Sequence, residues 1–164
     1  MIGKTIRIIL FSAAFLLPAS SFAKIGLDIN GGALIHKQHR DWFTGTETTS
    51  MGGAGAIKVT YQAKRFEVGP YAEYGGMQQA SYLLAGATAN ALFQLTDFQL
   101  YVGATGGYAS IGSATGSSIG AQVGGRFPIF SNLHFNTELS FRRVNADVFE
   151  FNAFGIMAGF HVKF

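Results

Sequence analysis

The chain has 164 residues, 48% of them hydrophobic and only 13% charged, with a formal net charge of +3 and no cysteine. The lack of cysteine excludes disulfides and thiolate chemistry, and no segment approaches the roughly 18 consecutive apolar residues of a membrane-spanning helix. A chain this apolar without such a helix fits a β-barrel, which hides its apolar side chains in alternation along strands.

Residues 1–23 have the layout of a secretory signal peptide. Lys4 and Arg7 precede the apolar run Ile8-Ile9-Leu10-Phe11-Ser12-Ala13-Ala14-Phe15-Leu16-Leu17, followed by Pro18 and the small-residue site Ser21-Phe22-Ala23. The run is too short to cross roughly 30 Å of hydrocarbon. We expect cleavage after Ala23, with residues 24–164 exported and, for want of a cysteine, no lipid anchor. Lys4 and Arg7 carry two of the three net charges, which leaves +1 on the exported chain. The basic pI of the whole chain is therefore no argument for a nucleic-acid partner.

From residue 24 onward the chain breaks into segments of period-two alternation. In 24–35, Ile25, Leu27, Ile29, Gly31, Ala33 and Ile35 share a face opposite Asp28 and Asn30. In 53–63, Gly55, Ile57, Val59 and Tyr61 oppose Lys58, Thr60 and Gln62. In 66–74, Phe66, Val68, Pro70, Ala72 and Tyr74 oppose Glu67, Tyr71 and Glu73; Pro70 lacks a ladder donor and hints at a bulge. The alanine-rich 81–94 is the weakest strand and taken alone also fits a helix. The fifth strand has Phe98, Leu100, Val102, Ala104 and Gly106 opposite Gln99 and Tyr101. The sixth sets Ile119, Ala121, Val123, Gly125 and Phe127 against Gln122 and Arg126. The seventh sets Leu133, Phe135, Thr137, Leu139 and Phe141 against His134, Asn136, Glu138, Ser140 and Arg142.

The eighth, 154–164, is the clearest: Phe154, Ile156, Ala158, Phe160, Val162 and Phe164 on one side, with Gly155, Gly159, His161 and Lys163 on the other. Loops are expected at 36–50, 75–79, 109–118 and from Asn145. Short turns are expected at 63–65, 95–97 and 128–132. Short turns on one side, longer loops on the other and an even strand number are what an outer-membrane barrel requires.

The last strand, with alternate apolar residues and a terminal aromatic, resembles the closing signal of bacterial outer-membrane barrels. By length, strand count and this strand, residues 24–164 resemble the small eight-stranded barrels: the OmpA membrane domain, OmpX and the opacity-type proteins. The resemblance implies an all-β, eight-stranded, antiparallel up-and-down transmembrane barrel in the outer membrane of a Gram-negative bacterium. It further implies that Phe160, Val162 and Phe164 are read by the barrel assembly machinery, and that outer-membrane lipid and lipopolysaccharide surround the barrel.

An eight-stranded barrel has an interior just wide enough to be filled by side chains. Asp28, Lys58, Glu67, Glu73, Arg126, Glu138, Arg142, His161 and Lys163 are therefore expected inside as a paired polar plug, in preference to a narrow ion path. Small barrels of this class include lipid A acyltransferases and deacylases, which need a base, an oriented serine and an acid at the bilayer edge. His36 and His39 lie where the first strand meets its loop, but no Asp-Ser pair follows in the second loop, 75–79. His134 and Ser140 are six apart and predicted inward. We expect solvated loop histidines and one plug histidine, and no catalytic set. A metal trio of His36, His39 and Asp41 is a weak pattern, and no cofactor is expected. Trp42 and Phe43 form the best outward contact, most simply within the lipopolysaccharide headgroup zone. The reading is a non-catalytic outer-membrane barrel with a structural or surface-interaction role, its surface partner unidentified; a narrow pore and a lipid A-modifying enzyme are the alternatives.

Overall fold

The computed structural model describes residues 24–39, 48–76, 81–146 and 149–164. The expected signal segment and the loop aromatics Trp42 and Phe43 lie outside the described residues. Eight strands follow in order: β1 (Lys24–His39), β2 (Thr48–Ala63), β3 (Phe66–Gly76), β4 (Ser81–Gln94), β5 (Gln99–Ile111), β6 (Ala114–Pro128), β7 (Leu133–Ala146) and β8 (Phe149–Lys163). Each pairs antiparallel with its neighbours in sequence, and β1 pairs with β8 from Gly26↔Lys163 to His39↔Glu150. The expected eight-stranded up-and-down barrel is thus the observed fold. Closure leaves no strand edge, so every strand is paired on both sides, the condition for crossing hydrocarbon.

Alternation sorts the side chains as each strand demands. Ile25, Ile29, Ile57, Leu139, Ile156 and Phe160 are exposed on the outer wall, while Asp28, Asn30, Lys58, Glu138 and His161 at the intervening positions are buried. In a barrel, burial means the lumen. Phe66, Phe93, Phe127, Phe130 and Phe164 ring the outer wall at the end where both termini emerge, an aromatic girdle of the kind that marks a membrane interface. β4, whose alanines left a helix open, is a strand because β3 pairs with it from Ser81 to Ala91 and β5 from Tyr82 to Gln94.

The strands run beyond the expected limits. β1 continues through His36 to His39, β2 starts at Thr48, Gly75 and Gly76 belong to β3, and β7 reaches Ala146. The expected loop 109–118 is instead the tip of a β5–β6 hairpin, closed by Gly112-Ser113 with Ile111 opposite Ala114. Gly112, at φ 57°, occupies the first turn position, where a two-residue hairpin turn favours glycine. Lipid contact needs only about 9–11 residues per strand, and these strands have 11 to 16. The overhang carries no lipid-facing alternation, so the pattern that located the strands did not extend to it. The expected contrast between long loops and short turns is correspondingly weak: the β5–β6 connection is as short as the Lys64-Arg65 turn.

Pro70 makes no bulge. Lys58↔Tyr71 and Tyr61↔Val68 lie on one register, with the intervening β2–β3 pairs simply missing. A proline removes a donor from the ladder without inserting a residue.

Candidate functional site

The lumen is the candidate site, and it is filled in two layers. The layer nearer the termini is polar. Arg126 on β6 reaches across to Glu67 on β3 with both terminal nitrogens, at 2.8 and 2.7 Å, and Nη2 also lies 3.2 Å from Asp28 Oδ2 on β1. Its guanidinium sits 4.9 Å from the centroid of the Tyr101 ring. Asp28 Oδ1 is 3.0 Å from His161 Nδ1 on β8. Asn90 on β4 donates to Glu67 and accepts from Gln122, each at 2.6 Å.

Deeper, Lys58 on β2 pairs with Glu138 on β7 and donates to Gln122 at 3.0 Å. Tyr101 on β5 donates to Glu138 at 2.8 Å. Arg142 closes the layer against Glu73 at 3.3 Å and Glu138 at 3.6 Å. All eight strands contribute to this one network. Four carboxylates, Asp28, Glu67, Glu73 and Glu138, meet three permanent cations, Lys58, Arg126 and Arg142, with His161 beside Asp28. Charges this buried are tolerated only when paired and hydrogen-bonded.

The layer toward the loops is apolar, which departs from the expectation of a polar plug throughout. Leu34, Leu84, Ala109, Ile111, Val144, Phe151, Ala153 and Met157 are buried together. Tyr82 joins the two layers: its ring packs among these residues, while its hydroxyl donates to Glu73 at 2.9 Å. The ring has room because Gly75 lies beside it, and a Cβ there would strike the ring. His36 is also inside this layer, edge-on to Tyr82 and Phe151 at 5.6 Å each. It is not the solvated loop histidine expected from the sequence, because β1 continues past it and its parity points inward.

Of the residues singled out in advance, Asp28, Lys58, Glu67, Glu73, Arg126, Glu138, Arg142 and His161 meet in the network. Lys163 does not; it is half-buried at the mouth, and among the described residues no carboxylate lies within 4.0 Å of it. Phe160 and Phe164 are exposed on the outer wall and Val162 is half-buried between them. Among the described residues no cluster of three potential metal ligands occurs; Asp41 lies outside them. Sequence reasoning missed His36, Leu34, Tyr82, Leu84, Phe151 and Met157 as lumen residues. Strand parity was the available signal, but beside Leu34, Tyr82, Leu84 and Met157 the other face is apolar or small and parity gives no contrast, while His36 and Phe151 lie beyond the alternating segments.

No protein-family model matches the chain, and no curated protein matches it by sequence. Among solved structures, Neisserial surface protein A overlays with a TM-score of 0.67 at 15% identity, covering 84% of this chain and 97% of that one. The chain has the fold of the small eight-stranded outer-membrane barrels. Looser likenesses are Ail of Yersinia pestis, with TM-score 0.49 and 16% identity over 83% of this chain and 97% of that one, and the N-terminal barrel of Pseudomonas aeruginosa OprF. The latter has TM-score 0.48 and 16% identity over 83% of this chain and 96% of that one.

Proposed function

We propose that the chain is an integral outer-membrane barrel with a structural or surface-interaction role, and that it neither conducts ions nor carries out catalysis. The observation that carries this reading is the apolar layer of the lumen. Leu34, Tyr82, Leu84, Phe151 and Met157 are each 1 or 2% exposed, so the loop-side half leaves a permeating ion no room for its water and no charged side chain among these residues to replace it. The charged layer beneath is then a tie that holds eight strands together. Exported behind residues 1–23, the barrel has its termini and the Lys64-Arg65 turn in the periplasm. Its outer wall lies in lipid and lipopolysaccharide, and Phe160, Val162 and Phe164 present the closing strand to the assembly machinery.

The lipid A enzyme is the less favoured reading because His36 points into the lumen, away from the bilayer edge where a lipid-acting base would sit. Planar-bilayer recording of the refolded barrel tests the first point, with no steady conductance expected. A stable open level would overturn it in favour of a narrow pore. Mass analysis of lipid A with and without expression tests the second, and altered acylation would overturn it.

A further inference from the structure

At the termini end the lumen opens into a cavity of about 460 Å3 whose lining includes Thr96, Asp97, Gln99, Arg126, His134 and Lys163. A neighbouring cavity of about 380 Å3 shares Gln99 and adds Lys64 and Arg65. The walls supply donors in excess. Arg126 is 1% exposed, and although its terminal nitrogens are taken by Glu67 and Asp28, its Nε has no acceptor. His134 Nδ1 is likewise enclosed and without a partner. Lys163 brings an ammonium group with no carboxylate of the described residues at ion-pair distance. Against these stands one lining carboxylate, Asp97.

The chamber is blind, because the stitched network and the apolar layer close it from above. A pocket of this volume suits a small molecule; the Arg126 charge is already met by Glu67 and Asp28, so Lys163 supplies the attraction for an anion at the mouth and Arg126 Nε a donor.

We propose that this mouth is a binding site for a small oxyanion, a carboxylate or a phosphate, whose oxygens accept from Lys163, Arg126 Nε, Thr96 and Gln99. Both groups present the acceptor oxygens that these donors require. The site depends on the lumen geometry alone and not on whether the barrel conducts or modifies lipid, so its failure would leave the proposed function standing.

The test uses the detergent-refolded barrel, isotopically labelled for backbone amide NMR. It is titrated separately with inorganic phosphate, with a short peptide ending in a free carboxylate, and with the C-terminal amide of that peptide. Saturable shifts confined to Thr96, Asp97, Gln99, His134 and Lys163 are expected with at least one oxyanion. Saturation by phosphate alone assigns a phosphate-bearing ligand, whereas saturation by the free peptide but not its amide assigns a carboxylate. Lys163→Gln should weaken binding about tenfold, the size of one charge-assisted contact, and Arg143→Gln at the far end should leave it unchanged. Lys163 lies in the closing strand, so if Lys163→Gln does not refold, Thr96→Val in the β4–β5 turn is titrated in its place, with a loss of about threefold expected for one neutral hydrogen bond. The absence of saturable shifts with every probe, equal response to peptide and amide without phosphate binding, or unchanged affinity in the refolded site variant would overturn the proposal.

Discussion

The two layers of the lumen solve one problem in opposite ways. Both must fill a closed cylinder with inward side chains drawn from eight strands. The termini-side layer does so with charges that need named partners: Arg126 with Glu67 and Asp28, Lys58 with Glu138. The loop-side layer does so with Leu34, Leu84, Phe151 and Met157, which need only volume. A charged partner removed leaves another buried and unpaired, whereas an apolar side chain removed leaves a space. The first layer is therefore specific and brittle, and the second is tolerant.

Arg126→Met should have the largest effect. It strands Glu67 and Asp28 in the lumen and should cost about 3–5 kcal/mol, measured as a lowered urea midpoint for loss of the heat-modifiable gel form. An unchanged midpoint would mean that the network is solvated and not a tie. Phe151→Ala should follow closely, at about 3 kcal/mol for a large truncated core aromatic. In planar bilayers the same variant should show brief openings if the apolar layer is what blocks conduction; a silent variant would place the block in the charged layer.

Tyr82→Phe separates the two layers at their joint. It keeps the ring among Phe151 and His36 but removes the hydroxyl that donates to Glu73, with an expected loss of about 1.5–3 kcal/mol by the same urea assay. A loss near zero would show that Arg142 alone satisfies Glu73. The smallest effect lies outside both layers. Lys64 has φ 53°, a left-handed conformation that costs a side-chain-bearing residue about 1–2 kcal/mol. Part of that gain is offset by the extra backbone freedom of glycine in the unfolded chain, so Lys64→Gly should raise stability by about 0.5–1 kcal/mol.

The barrel was legible where lipid imposes a contrast. In β8, Phe154, Ile156, Phe160 and Phe164 alternate with Gly155, Gly159, His161 and Lys163, and the strand stands out without help from its neighbours. In β5 and β6 the stretch 109–118 offers serines, glycines, threonine and alanine on both faces. It lies past the lipid-facing residues, so it resembles a loop although it is paired strand. The charged lumen residues were legible for the same reason: Lys58 sits between Ile57 and Val59, and Glu67 between Phe66 and Val68. Met157 was not, because an apolar inward residue between Ile156 and Ala158 breaks no pattern, and Phe151, between Glu150 and Asn152, lies past the lipid-facing residues. His36 was read from its proximity to a polar stretch, and only the continued pairing of β1 with β2 and β8 turns it inward.

By itself, the sequence determined the strand number, the lipid-facing side of each strand and the parity of nearly every charged residue. Those follow from local rules, since a strand shows alternate residues to opposite sides whatever its neighbours do. The tertiary structure decided how far each strand runs, which carboxylate meets which base and the division of the lumen into a charged and an apolar layer. These depend on barrel register, which brings together residues as far apart in sequence as Asp28 and His161. No local pattern encodes that distance.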